Sequence, residues 1–161
     1  MSEIVSGGRA WTNHWEAPDE NRPVWEPFLY TTKKGDLICF YSDERFQHSH
    51  GYNQLLTHKV SRDGGYTWEE AVVDVAMPGG IKRPGMPIIA PLPDGRYIMV
   101  YEIVNVDGIP VVFRISDDIE NWGDPAFLGN PVRASDGSYL SGTPYVAWIP
   151  REGNMAPSWS L

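Results

Sequence analysis

A chain of 161 residues with 42% hydrophobic and 21% charged side chains is long enough to bury one core and too apolar for overall disorder. Its formal charge of −8, with no run of Lys or Arg, argues against nucleic acid and anionic membrane surfaces as partners. The single cysteine, Cys39, excludes a disulfide framework, and no apolar run approaches the roughly 18 residues of a membrane helix.

Seven Trp, eight Tyr, fourteen Pro and sixteen Gly predict many short strands joined by tight turns, an all-β chain. The opening MSEIVSGGRAW has no apolar signal core, and from Trp11 it reads as the last strand of one sheet. PFLYTTKKGDLICFY (Pro27–Tyr41) then follows a clear layout: proline, apolar strand, Gly turn, second apolar strand ending in an aromatic. YNQLLTHKVS (Tyr52–Ser61) supplies a third strand, SRDGGYTW (Ser61–Trp68) a turn, and WEEAVVDVA a fourth strand. The layout begins again with PIIAPLPDGRYIMVY (Pro87–Tyr101), PVVFRIS (Pro110–Ser116), the turn SDDIENW (Ser116–Trp122) and an outgoing WGDPAFL. A third start, PYVAWIPREGNMAPSW (Pro144–Trp159), follows. Cys39, inside LICFY, reads as a small buried hydrophobe.

Pro27 to Pro87 is 60 residues and Pro87 to Pro144 is 57, while Trp11, Trp68 and Trp122 lie 57 and 54 apart. Four antiparallel strands per unit with a Trp-anchored turn between the third and fourth describe a propeller blade. SRDGGYTW, with Ser61, Asp63, Gly65 and Trp68 in place, resembles the Ser-x-Asp-x-Gly-x-x-Trp Asp box of sialidases and related propellers. The resemblance implies a sialidase-like six-bladed β-propeller, here a partial one. Residues 1–161 then form a single domain: 1–24 the end of a preceding blade, 25–82 and 83–138 two whole blades, and 139–161 the first strands of another. Open blade edges would be covered by further sequence or by a second copy in a homo-oligomer.

Strand direction sorts the residues by rim. If the first strand of a blade runs downward from the upper rim and the second returns, residues before the first and after the second share the upper rim. The turn SRDGGYTW then belongs to the lower rim, where Asp63 is structural and Trp68 packs between blades. Two carboxylates fall on the upper rim of neighbouring blades, Glu26 in VWEPF and Glu102 in MVYEI, both among apolar and aromatic neighbours. Paired carboxylates in a cleft are the chemistry of glycoside hydrolysis, one attacking or stabilising the anomeric carbon and the other protonating the leaving oxygen.

WEPFLY, YSDER, VVDVA, RPGMP, LPDGRYIMVYE, FRISDD, ASDG and SGTPYVAW resemble, in that order, the exo-α-1,5-L-arabinanases, over about Trp25 to Trp148. The resemblance implies a retaining release of arabinobiose from linear arabinan, with Glu26 as nucleophile, Glu102 as acid/base, no cofactor and a carbohydrate partner. It also implies a family that is usually secreted, and an isolated segment of the ring can be inactive. A true sialidase, which needs an arginine cluster and a Tyr/Glu pair, and a non-catalytic carbohydrate-binding or assembly module are the competing readings; Arg22, Arg45, Arg83 and Arg114 are available to such a cluster, without a family-like context around them.

Four further residues are candidates for substrate contact. Asp43 sits just past the second strand of its blade and either meets sugar hydroxyls or caps a turn. Arg83 either clamps Glu26, bonds a sugar, or makes a surface ion pair. Trp25 and Tyr101 divide between stacking on a sugar and packing between blades. His48 and His50 lack further ligands at metal-binding spacing, so no metal is expected. Neither a phosphate loop nor a nucleophile-elbow serine is present.

Overall fold

The computed structural model describes residues 21–47, 51–108 and 110–149, together with the backbone of strand segments at 5–6, 9–10 and 158–160. Its strands are β1 (Val5–Ser6), β2 (Arg9–Ala10), β3 (Val24–Thr31), β4 (Leu37–Asp43), β5 (Leu55–Ser61), β6 (Val72–Ala76), β7 (Arg83–Pro91), β8 (Tyr97–Val104), β9 (Val111–Ser116), β10 (Asn130–Pro131), β11 (Ala147–Ile149) and β12 (Ser158–Ser160). Two four-stranded antiparallel meanders dominate, β3-β4-β5-β6 and β7-β8-β9-β10, flanked by the hairpins β1-β2 and β11-β12. No helix among the described residues is long and apolar enough to cross a membrane. Trp11, His48 and His50 lie outside the described residues.

The sequence pattern explains how the two sheets stack. Strand β5 is buried at every position because it is central in its sheet and covered on both faces. On β8 the period-2 alternation sends Met99, Tyr101 and Ile103 into a core shared with Ile38, Phe40, Leu56 and Val75 of the first sheet. The intervening Ile98 and Val100 face the other way, into a smaller core that includes Val111 and Val146. The main core is therefore the seam between two blades. Cys39, on the outward-alternating side of β4, is half-buried rather than sealed, and its burial pushes the thiol up to about 11.

Both sheets carry the same irregularity. Register shifts between Trp25 and Phe28 on β3 and between Gly85 and Ile88 on β7, places that are 60 residues apart and equivalent in the repeat. Each bulge contains the residue before a proline, which redirects the upper end of the first strand.

At the other end stands the turn of Ser61 to Trp68. Asp63 Oδ1 accepts from Ser61 Oγ (2.8 Å) and from the amides of Tyr66 and Thr67 (both 2.9 Å), and Oδ2 accepts from Thr67 Oγ1 at 2.7 Å. Gly64 and Gly65, at φ 78° and 95°, supply the left-handed residues this curl needs. Arg62 bonds Asp36 of the β3–β4 hairpin at 3.0 Å and Glu120 of the next blade's equivalent turn at 2.7 Å, so all three share one rim. From Leu55 to Ser61 the strand rises about 20 Å, which separates this rim from the opposite one.

One expectation is corrected here. WGDPAFL does not form the outer strand of the second blade, which is reduced to the two residues of β10. Buried Arg114 explains this: its guanidinium donates to the carbonyls of Asp74 (3.0 Å), Trp122 (3.3 Å), Asp124 (3.0 Å), Pro125 (3.4 Å) and Phe127, and its Nε to the Tyr101 hydroxyl at 3.0 Å. The chain curls around the cation instead of extending, and Pro125 and Pro131 remove two ladder donors. Trp122, 6% exposed, packs edge-on to Phe40 of the neighbouring blade at 6.3 Å, whereas Trp68 is only half-buried.

These contacts give two expected outcomes. Trp122→Ala should cost about 3–5 kcal/mol in denaturant unfolding, and Trp68→Ala clearly less. Asp63 is held down to about 2, chiefly by Thr67 and then by Ser61 and Tyr66. Because its folded-state value is depressed, its stabilisation is present above about pH 4 and is lost as pH falls toward about 2. Melting curves of Asp63→Asn should therefore lie below those of the parent at pH 6 and converge with them toward pH 2.

Candidate active site

The upper rim is built from the starts of the first strands and the ends of the second. Glu26 sits inside the β3 bulge at φ 51°, and its Oε2 accepts from Ser42 Oγ at 3.1 Å and from the Met86 amide at 3.2 Å. The same Met86 N–H lies 3.2 Å from Ser42 Oγ, so one amide is shared between a hydroxyl and a carboxylate. Glu102 lies within β8, paired in register with Gly85, and its Oε2 accepts the Thr143 amide at 2.7 Å. Gly85 is thus the residue between the two carboxylates: it pairs with Glu102, and its neighbour Met86 donates to Glu26.

Glycine is required at two of these places for space. A Cβ on Gly85 would stand 3.0 Å from Gln54 Nε2, 3.6 Å from Ser42 Oγ and 3.7 Å from Glu26 Oε2. One on Gly142 would stand 2.8 Å from Glu102 Oε2. Close approach of backbone to carboxylate is what the missing side chains permit.

The donors on these carboxylates come from an unusual backbone state. Glu26, Met86 and Thr143 all have positive φ (51°, 55° and 51°), and all three precede a proline. A residue before proline ordinarily stays extended, and a β-branched one at positive φ is an outlier. Here the left-handed turn presents the Met86 and Thr143 amides to side chains of the preceding blade. Among the described residues neither Glu26 nor Glu102 forms an ion pair, the partners are neutral N–H and O–H groups on Oε2, and Oε1 of each accepts no hydrogen bond.

The four other candidates separate. Asp43 is completely buried and paired: Arg45 takes Oδ1 through Nε at 2.9 Å and Oδ2 through Nη2 at 2.8 Å, and the Arg45 amide takes Oδ1 at 3.0 Å. Tyr101 is likewise fully buried, donating to the Leu128 carbonyl at 2.9 Å and accepting from Arg114, with its ring packed in the core between the blades. Burial raises its phenol, with Arg114 opposing. Arg83 pairs with Glu44 at 2.7 Å and does not clamp Glu26. Trp25, 45% exposed beside Glu26, is the one of the four with an open aromatic face.

Three residues the sequence reading passed over belong to the same rim. Ser42 was legible by alignment, since Tyr41 and Tyr101 are equivalent and place Ser42 opposite Glu102 in the repeat. Gln54, 3% exposed, donates from Nε2 to the Pro84 carbonyl at 2.6 Å and anchors the segment that carries Met86. Glu44, which holds Arg83, carried no signal beyond its position after the strand. Arg45, Arg83 and Arg114 are each committed to a different local partner, so no arginine cluster of the kind a sialidase requires forms from them.

Neither protein-family models nor curated protein sequences match the chain. Solved structures do. The α-L-arabinanase of Penicillium chrysogenum complexed with arabinobiose is 37% identical with a TM-score of 0.71, over 83% of this chain and 38% of that one. The GH93 α-L-arabinofuranosidase of Fusarium graminearum with arabinobiose is 36% identical, also with a TM-score of 0.71 over 83% and 38% of the two chains. A third structure, the Fusarium graminearum enzyme with an iminosugar inhibitor, is 35% identical with a TM-score of 0.65, over 82% of this chain and 37% of that one. The chain spans 38% of the length of the first structures it matches. It is a partial β-propeller, akin over most of its length to the GH93 α-L-arabinanases and α-L-arabinofuranosidases.

Proposed function

We propose that this chain is the segment of an exo-acting glycoside hydrolase that carries both reactive carboxylates and cleaves α-1,5-linked L-arabinan with retention. The observation that supports it is the arrangement at Gly85: Glu102 pairs with that glycine while the adjacent Met86 amide bonds Glu26, at the rim opposite the structural turn. Likeness to enzymes solved with arabinobiose supplies the substrate class.

The donors suggest how the roles divide. Two neutral donors, from Ser42 and Met86, hold Glu26 Oε2 and one, from Thr143, holds Glu102 Oε2, so Glu26 is the more firmly oriented of the two. In the first step Glu26 Oε1 bonds to the anomeric carbon as the glycosidic C–O bond breaks, and Glu102 gives its proton to the departing oxygen. Glu102, now ionised, takes a proton from water; the hydroxide oxygen bonds to the anomeric carbon and Glu26 leaves as a carboxylate. Two inversions give retention. Trp25 is placed to stack on the sugar beside Glu26, and Asp43, Arg83 and Tyr101 support the rim from below.

The test is release of disaccharide from linear α-1,5-arabinan, with the first-formed anomer read by proton NMR. Retention is expected, with turnover abolished by Glu26→Gln and lowered about 10²- to 10⁴-fold by Glu102→Gln. Turnover indifferent to both substitutions removes the assignment. Saturable sugar binding without turnover supports a binding module instead.

A further inference from the structure

Ser42 and Glu102 occupy the same place in successive blades, immediately after Tyr41 and Tyr101. Each meets the amide of the residue before proline in the next blade, Met86 for Ser42 and Thr143 for Glu102. In the second blade the long carboxylate reaches that amide alone, at 2.7 Å. In the first blade the position holds a short hydroxyl, and the amide is 3.2 Å from it and equally 3.2 Å from Glu26 Oε2. Glu26 has entered a joint that the repeat elsewhere closes with one side chain.

We propose that Ser42 is a positioning residue for Glu26: its hydroxyl, together with the Met86 amide it shares, clasps Oε2 and so directs Oε1 toward the reacting carbon. The inference rests on Glu26 being the nucleophile. Ser42 is completely buried and its hydrogen is directed to the carboxylate, so it is neither a solvated surface group nor a capping hydroxyl. The clasp is backed from behind by Gln54, whose amide fixes the Pro84 carbonyl at 2.6 Å, and Gly85 leaves the space in which hydroxyl, carboxylate and amide meet. A carboxylate side chain has a nearly free terminal rotation, and holding one oxygen with two donors from two different blades removes that freedom before substrate arrives.

The experiment has two arms on the full chain, with melting midpoints and amide spectra checking that variants stay folded. In the first, hydrogen exchange of the Met86 amide is measured by NMR; Ser42→Ala should accelerate it about tenfold, the loss of roughly one net hydrogen bond, and Ser42→Thr should restore protection. In the second, on linear α-1,5-arabinan, Ser42→Ala should lower kcat at least about tenfold with KM changed by less than about threefold, and Ser42→Thr should recover most of it. Met86 exchange unchanged in Ser42→Ala overturns the clasp whatever the activity, and so does an unchanged kcat in an active enzyme. If the parent chain turns over nothing, or Glu26→Gln changes nothing, the hydrolase reading falls, while the Met86 exchange ratio still accepts or rejects the clasp.

Discussion

A residue that precedes proline and yet takes a left-handed backbone is costly, of the order of 1–3 kcal/mol, and this molecule does it at the head of the first strand in three successive repeats. The cost is met because the turned peptide delivers its N–H across the blade seam. Met86 gives its amide to Glu26 and Ser42, and Thr143 gives its amide to Glu102. The bulges that accommodate these residues break the register of β3 and β7 at equivalent points, so that the upper ends of the first strands lean out of their ladders. Glu26 is itself such a residue, so the strained state also aims its side chain. Blade joint and candidate chemistry are one construction.

Lower in the seam the interactions change character. Apolar side chains alternate off β8 into the shared core, and Trp122 closes it against Phe40. Within this core sit two charged arrangements that are satisfied in different ways. The Asp74 carboxylate meets His58 Nδ1 at 2.8 and 3.0 Å, and burial drives Asp74 up against the pull of His58 and Arg114. Arg114 spends its donors on backbone carbonyls and a tyrosine hydroxyl, which fixes the loop after Trp122 where a strand would otherwise run. A buried cation held by carbonyls defines a single path for that segment, since any other path leaves the donors unpaired.

Much of this was legible because it is periodic. The recurrence of proline, apolar strand, Gly turn and aromatic at 60 and 57 residues gave the blades, and the residues flanking those strands gave Glu26 and Glu102 as occupants of one rim. What escaped lay off the period. The outer strand of the second blade failed because one arginine on β9 outweighs the strand propensity of WGDPAFL, and no local pattern announces that. Asp43 was left open between sugar contact and a turn cap, and the Asp-x-Arg spacing of Asp43 and Arg45 was the available hint of the ion pair that holds it. Ser42 needed only the alignment of the two tyrosines. The left-handed residues before Pro27, Pro87 and Pro144 had no sequence signal, because a residue before proline is expected to be extended and a β-branched threonine is an outlier at positive φ.

The carboxylates themselves separate scaffold from site. Asp63 has three donors on Oδ1 and one on Oδ2, all within its own turn, and its chemistry is exhausted by folding that turn. Asp43 is neutralised bidentately by Arg45, and Asp74 is bound through both oxygens to His58. Each of these groups is engaged on both oxygens. Glu26 and Glu102 differ: among the described residues each is tethered through one oxygen, by neutral donors that hold without neutralising, and each comes from a strand whose partner across the seam is a backbone amide. A group engaged on both sides can only stabilise, while one held on a single oxygen keeps a lone pair and a charge for a ligand. That asymmetry, set by the peptide geometry before three prolines, separates the carboxylates of this rim from Asp63 at the opposite one.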